Sequence, residues 1–145
     1  MILMDGNILV YAHREDTTDH RAYRDWVEDT INSGGAYGVS ELVCSGFMRV
    51  VTHPNVCARP TPLAVALEVV KQIRSQPHAV PLRPGPWHGA IVEQQLRAPA
   101  ATGNLVPDAY HAALAIESGC DWITTDKGFL RFAGLRARHP FRKAL

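Results

Sequence analysis

Cysteine, long apolar runs and an excess of one charge are all scarce in this sequence of 145 residues. Its three cysteines, Cys44, Cys57 and Cys120, lack any C-x-x-C spacing, which argues against a disulfide framework and a zinc knuckle. No apolar run approaches the roughly 20 residues of a membrane-spanning helix. Residues 1–4 meet an acid without a preceding basic segment, unlike a signal peptide. We therefore expect a cytoplasmic protein that does not associate with membranes.

The net charge is only +1, from 15 basic and 14 acidic residues, which excludes indiscriminate binding of polyanions by bulk electrostatics. The charges are unevenly distributed, because residues 127–145 hold six basic residues and no acid, against nine basic and fourteen acidic residues before them. Such a tail can protect an edge strand from aggregation, or it can guide an RNA backbone. The second interpretation makes candidate RNA contacts of Lys127, Arg131, Arg136 and Arg138.

Hydropathy patterning predicts short apolar strands that alternate with amphipathic helices, in a chain of ordinary globular composition with 46% hydrophobic residues. Strands are predicted at residues 2–4, 36–39, 79–82, 122–124 and 135–138. Helices are predicted to begin near Asp19, Ser40, Pro62, Pro86 and Pro107. Trp26, Trp87 and Trp122 fall on predicted apolar faces, where they serve the core or a dimer interface. The alternation predicts one α/β domain over residues 1–145, with a mostly parallel sheet of about five short strands flanked by helices.

Four acids follow predicted strands or open predicted helices: Asp5, Glu41, Asp108 and Asp126. Each alone could cap a helix and complement its dipole. In an α/β fold, however, the carboxyl ends of the strands meet at one edge of the sheet, where ligands bind. Asp121 is the runner-up for the fourth place.

Carboxylates that converge in one cleft need a compensating charge, because two of them about 4 Å apart repel by about 4 kcal/mol at an effective dielectric constant near 20. Oxygen ligands without clustered cysteine or histidine favour Mg²⁺, with Mn²⁺ as a substitute. Such an ion activates water and neutralises charge on a phosphate. The acids therefore predict a metal-assisted phosphodiester hydrolase. His111, three residues after Asp108, is better explained as a partly buried, hydrogen-bonded residue than as a transition-metal ligand.

Four segments in this order resemble the motifs of PIN-domain ribonucleases: L-M-D-G-N-I-L-V-Y-A at residues 3–12, S-E-L leading to F-M-R-V at 40–50, N-L-V-P-D-A at 104–109, and T-T-D-K-G-F at 124–129. More narrowly, the chain is similar to VapC toxins of type II toxin-antitoxin pairs. The ending F-L-R-F-A-G-L at 129–135 resembles a subgroup common in mycobacteria. The resemblance extends over almost the whole chain.

The resemblance implies a metal-dependent endoribonuclease that inhibits growth until a VapB-like antitoxin neutralises it, and that assembles as a homodimer. Its acidic ligands fall on Asp5 and Asp108, which would hold Mg²⁺ most directly, and on Glu41 and Asp126, which would bind it directly or through water. Three polar residues would support the site: Asn7, Thr124 and Thr125.

Two other functions stay open at this point. One is a PIN-like module that has lost catalysis and binds RNA or serves as a scaffold, although all four acids are present. The other is an aspartyl-phosphate phosphatase in which Asp5 attacks phosphorus. Such enzymes usually carry a second acid two positions further on, and here that position is Asn7.

Overall fold

The computed structural model describes residues 1–97, 103 and 105–142 and contains a parallel sheet of five short strands. The strands lie in the order β3-β2-β1-β4-β5, and every neighbouring pair is parallel. Their bounds are β1 Ile2–Met4, β2 Tyr37–Ser40, β3 Ala79–Leu82, β4 Asp121–Ile123 and β5 Arg136–Arg138. The predicted α/β class and the parallel five-stranded sheet are confirmed.

Helices flank this sheet, and most begin within two residues of their predicted starts. They are α1 Gly6–His13, α2 His20–Asn32, α3 Glu41–Val51, α4 Leu63–Arg74, α5 His88–Leu96 and α6 Leu105–Glu117, with a 3₁₀ helix at Lys127–Arg131. Helix α6 begins two residues before Pro107, because proline is tolerated in the first turn of a helix, where its missing N–H has no partner anyway. None of these helices is long and apolar enough to cross a membrane.

The core lies around the two central strands, β1 and β4. Leu3 and Trp122 are 1% and 0% exposed, as expected for strands covered on both faces. Helix α6 packs closely because its inward positions are alanines, and Ala109, Ala112 and Ala113 are all fully buried. This close packing holds the first turn of α6, with Asp108, near the central strands.

The core position predicted for Trp87 is wrong, because this residue is 70% exposed. Trp122, by contrast, is fully buried as predicted. Helix α5 begins at His88, the residue after Trp87, and the side chain of His88 is buried instead. Its Nε2 atom lies 3.0 Å from the carbonyl oxygen of Tyr110. The backbone N–H groups of Gly85 and Trp87 donate to the carboxylate of Glu117, each at 2.8 Å. These bonds fix the turn before α5 and direct the indole outward.

The strand order places a topological switch point between β1 and β4. The chain runs from β1 outward through β2 to β3 and then returns to β4 on the other side of β1. Ligands in open α/β sheets bind at the carboxyl ends of strands beside such a point. The residues that follow β1 and β4, Asp5 and Thr124, therefore lie where a site is expected.

Candidate active site

Asp5 stands at the junction of the two central strands and the first helix. Its backbone N–H donates to the carbonyl of Ile123 at 2.9 Å, which extends the β1–β4 pairing by one step. The next residue, Gly6, begins α1, so the carboxylate lies at the positive end of a helix. The apolar strand, the acid and the glycine that follow one another in sequence thus place one carboxyl group at the switch point.

The hydroxyl of Thr124 connects the elements of the site. It donates to Oδ2 of Asp5 at 2.6 Å and accepts hydrogen bonds from Nδ2 of Asn7 at 3.1 Å and the backbone N–H of Asp126 at 3.0 Å. Thr124 is fully buried. Its one proton goes to the carboxylate, so the group of Asn7 that faces it must be the amide NH₂. Asn7 Oδ1 is therefore oriented away from Thr124; it is buried and has no partner among the described residues.

Burial and mutual repulsion raise the pKa values of the acids in this cluster. The pKa of Asp5 rises to about 6, mainly by burial and further by the charge of Asp108, against the hydrogen bond from Thr124 and the backbone amides of Asn7 and Gly6. The pKa of Asp108 is also raised, by burial and then by the charge of Asp126. These carboxyl groups are close enough to repel one another. A bound cation would remove that penalty.

Glu41 and Asp126 are placed differently from Asp5. Glu41 begins α3 at the same edge of the sheet, but its carboxylate accepts from the Arg74 guanidinium at 2.8 Å and its side chain is 68% exposed. Asp126 Oδ1 accepts from the backbone N–H of Gly128 at 2.7 Å and so caps the 3₁₀ helix. Thr125 is half-buried, and no hydrogen bond of its side chain is present within the described part of the chain.

The basic candidates do not form one strip. Arg131 lies near the acids, since its charge lowers the pKa of Asp108 against the effect of burial. Arg136 and Arg138 instead bind Asp121, at 2.7 and 3.0 Å. Asp121 is the first residue of β4, two residues before the strand's carboxyl end, and the hydrogen bond from Arg136 lowers its pKa. These two ion pairs hold the side chains of Arg136 and Arg138 at Asp121, although the backbone carbonyl of Arg138 accepts from the N–H of Thr124 at 3.0 Å.

Comparison with known sequences and structures decides the family. The family model described as PIN domain matches residues 2–135 of this chain. The chain belongs to the PIN-domain family. It is 40% identical over 140 residues to a VapC ribonuclease of Mycobacterium bovis and to ribonuclease VapC43 of Mycobacterium tuberculosis, covering 97% of this chain and 95% of each relative. Ribonuclease VapC31 of Mycobacterium tuberculosis is 35% identical, covering 97% of this chain and 99% of the relative.

Solved structures agree on the PIN fold. VapBC2 of Rickettsia felis bound to a promoter DNA fragment matches with a TM-score of 0.66 at 18% identity, covering 96% of this chain and 98% of that chain. FitAB bound to a DNA fragment matches with a TM-score of 0.64 at 20% identity, covering 98% and 96%. The sequence resemblance to PIN domains, and to their VapC branch, is confirmed.

The donors of this PIN-domain site fit a hard divalent cation. Asp5 and Asp108 supply carboxylate oxygens, and Asn7 adds a buried carbonyl oxygen that has no partner among the described residues. In residues 1–97, 103 and 105–142, no three residues of the types His, Cys, Asp and Glu stand close enough to form a preformed metal cage. Two carboxylates with several waters completing the coordination suit Mg²⁺, which gives up its waters reluctantly.

His111 and Arg49 lie near Asp5, although the sequence patterns do not assign them to the site. Burial lowers the pKa of His111 to about 4, so its imidazole is neutral at pH 7. It stacks on Trp122 at 5.4 Å, and its buried Nδ1 has no partner in the described structure. The hydrogen bond expected for it is thus absent there. Arg49, on the last turn of α3, lines the same cavity as Asp5 and His111. In the sequence, only the spacing of three residues between Asp108 and His111 indicates that His111 lies near the acids. No local pattern indicates the position of Arg49, because it depends on how α3 packs on α1.

Proposed function

We propose that this PIN domain is a metal-dependent endoribonuclease and the toxin of a VapBC-type pair. The observation that carries the proposal is the buried carboxylate of Asp5, held by Thr124 at the switch point with Asp108 beside it. It occurs in a chain 40% identical to proteins named VapC ribonucleases. The reaction is hydrolysis of an RNA phosphodiester bond with water as the nucleophile.

Asp5 and Asp108 would hold the ion directly, with Asn7 Oδ1 as a further oxygen donor and Asp126 acting through water. Glu41 would contribute to the metal site through a water molecule once its hydrogen bond to Arg74 is broken. A divalent ion bound there lowers the pKa of a coordinated water and neutralises the charge that develops on the phosphate.

The chain's own residues orient these groups. The Thr124 hydroxyl holds Oδ2 of Asp5 and, through the backbone of Asp126, links the loop after β4 to the loop after β1. Thr125 follows as an additional polar group of this loop. His111 is neutral at pH 7 and so adds no charge that would compete with a cation. The protein thus supplies fixed oxygen donors, and we expect no covalent intermediate on Asp5.

Lys127 and Arg131 are the basic residues that we propose to contact the RNA backbone near the cut bond. They belong to the 3₁₀ helix that Asp126 caps, and Arg131 lies close to Asp108. Arg136 and Arg138 would contact RNA only further away, because they are bound to Asp121.

The remaining parts of the proposal are a VapB-like antitoxin partner, a homodimer, a cytoplasmic location and a domain that extends to residue 145. The solved structures of VapBC2 and FitAB, each bound to a DNA fragment, have this fold, and this likeness supports an antitoxin partner. An antitoxin that neutralises the protein would explain how a cell tolerates it.

The decisive experiment compares wild type with Asp5→Ala and Asp108→Ala on cellular RNA, with Mg²⁺, with Mn²⁺ and after EDTA, together with growth after induction. We expect cleavage and growth arrest by wild type alone, and recovery of activity when Mg²⁺ replaces EDTA. Mapping of new RNA 5′ ends would locate the cuts. Equal cleavage by both alanine variants would refute the proposal. A titration that shows no divalent-ion binding would instead favour a PIN-like module that has lost catalysis, and a phosphoenzyme on Asp5 would indicate a phosphatase.

A further inference from the structure

A cavity of about 350 Å³ opens between α1 and α3 and ends at the proposed catalytic cluster. We call it the α1–α3 cavity. Asp5 and Asn7 line one part of it, and Tyr11, Arg49 and His111 line other parts. A ligand in this cavity therefore touches the same carboxylate that would hold the metal ion. The chemistry of its walls indicates what that ligand is.

Arg49 supplies a positive charge at the wall of this cavity. Its side chain is exposed on the last turn of α3, and none of the seven ion pairs among the described residues includes it. By contrast, Arg74, Arg136 and Arg138 all bind carboxylates. A planar guanidinium presents paired N–H donors that match a phosphate group. Arg49 therefore provides a phosphate contact at the wall of the cavity.

The other walls suit the flat, partly apolar body of a nucleobase. Val10, Leu42 and Val50 contribute apolar surface, and Tyr11 contributes an aromatic ring. Every base can stack on such a ring, and differences in stacking strength give a modest preference among bases. His111 also lines the cavity, and its imidazole is neutral at pH 7, so it adds no charge to the place that a base would occupy. The cavity thus combines an anion contact with a site for one base.

Gly46 keeps the cavity open. It lies inside α3, where glycine lowers helix stability, and its φ is not positive, so the backbone does not require it. A Cβ atom built at this position meets nothing within 4 Å. Because Gly46 lines the cavity, we expect a larger side chain at this position to occupy part of it.

We propose that the α1–α3 cavity binds one nucleotide of single-stranded RNA next to the phosphodiester that is cut, with Arg49 on its phosphate and Tyr11 beside its base. The inference rests on the proposed ribonuclease function and deepens it by adding a subsite for substrate selection. Its consequence is a base preference at one fixed position relative to the cut.

The test fills the cavity from Gly46, a residue that is not one of the proposed metal ligands. Gly46→Leu adds a side chain that favours helix formation, and Gly89→Leu is the matched control, because Gly89 also lies in a helix with nothing within 4 Å of its built Cβ atom. Both changes are made in the Asp108→Asn background to keep RNA intact, and thermal unfolding verifies the fold. The probe is a fluorescein-labelled single-stranded 10-mer RNA of mixed sequence.

We expect Gly46→Leu to weaken binding about 5- to 150-fold, the range that stacking of one base contributes, and Gly89→Leu to leave it unchanged. In the otherwise wild-type chain, Gly46→Leu should also abolish the base preference at one position of the mapped cuts. Gly46→Ala, which adds only a methyl group, should weaken binding less than leucine does. It keeps the test valid if the leucine variant does not fold.

Arg49→Gln tests the phosphate contact, with Arg83→Gln as the control for loss of an exposed charge elsewhere. We expect Arg49→Gln to reduce the slope of log affinity against log salt by about 0.7, the value for one phosphate contact on a single strand. The control should leave the slope unchanged, because Arg83 lies outside the cavity.

The outcomes separate this inference from the function on which it rests. If wild type neither binds nor cuts RNA, the proposed function fails and the subsite with it. If wild type cuts RNA and Gly46→Leu binds and cuts it with the same base preference, only the subsite is refuted. If Gly46→Leu keeps RNA binding but no longer copurifies with its antitoxin, the cavity is a protein interface and the inference is likewise wrong.

Discussion

Replacing Thr124 by valine removes one hydroxyl from the centre of the site and preserves nearly the same shape. The hydroxyl makes three hydrogen bonds, to Asp5, Asn7 and the backbone of Asp126, and the residue is fully buried. A neutral buried hydrogen bond contributes about 1 kcal/mol and one to a charged group about 1.5–3 kcal/mol. We expect Thr124→Val to lower the free energy of unfolding by about 3 kcal/mol, or roughly 6–12 °C in Tm for a domain of this size.

The same change should raise the pKa of Asp5 above its value of about 6, because the Thr124 hydrogen bond favours the charged form. Loss of one charge-assisted hydrogen bond corresponds to an increase in pKa of about one unit or more. The measurement is a ¹³C NMR titration of the Asp5 carboxyl carbon in the metal-free protein, together with thermal unfolding. Mg²⁺ affinity, measured calorimetrically, should fall at neutral pH because more of the carboxyl group is protonated.

The neighbouring threonine gives a matched control. Thr125→Val changes the same functional group one residue later, where no side-chain hydrogen bond is present in the described structure. Thr124→Ser, which keeps the hydroxyl, should retain the Asp5 pKa. The reasoning is refuted if Thr124→Val and Thr125→Val have the same Tm and the same Asp5 titration.

The raised pKa of Asp5 makes the metal-free protein more stable when this group is protonated, so its contribution should be lost as the pH rises from about 4 to about 6. A rise of about two pKa units corresponds to about 3 kcal/mol. Urea unfolding should therefore show that Asp5→Asn is more stable than wild type at pH 7, whereas Asp25→Asn should not differ from wild type. If the stability of Asp5→Asn depended on pH as that of wild type does, Asp5 would not be the origin of the effect. Arg74→Gln should change the free energy of unfolding by less than about 1 kcal/mol, because the bond to Glu41 is exposed; a larger loss by chemical denaturation would show that the pair is structural. Gly38→Ala should destabilise the fold by about 1–3 kcal/mol. The added Cβ atom would lie 2.4 Å from a methyl carbon of Leu82 and 3.3 Å from a backbone oxygen. A Tm equal to that of wild type would show that Leu82 moves freely.

Asp121 and Asp126 show how far local sequence extends toward the site. They lie five residues apart around one strand, and both carry a carboxyl group. Asp121 opens β4 and pairs with two arginines of β5, whereas Asp126 follows the strand and affects Asp108. The direction of this three-residue strand determines which acid lies at the carboxyl edge: Asp126 follows the strand, and Asp121 begins it.

Glu41 shows where local pattern is insufficient. The sequence predicts its place at the start of α3, and the structure confirms that place. Its hydrogen bond to Arg74 joins residues 33 positions apart, and it depends on how α3 packs against α4. The exposed indole of Trp87 has a similar cause, because Glu117, 30 residues further on, fixes the turn before α5.

The order of apolar runs, helix starts and strand-ending acids is a local property, so the amino-acid sequence alone was enough to establish the parallel α/β fold, the family and the position of Asp5 after the first strand. The partners of each side chain are not local. Pairing of β1 with β4 brought the hydroxyl of Thr124 to Asp5. Packing of helices on the sheet placed Asp108 where its charge repels Asp5, buried His111 in its neutral form, and opened a cavity between α1 and α3. Burial and distance set the protonation and hydrogen bonding of these groups, and both quantities exist only once the chain is folded.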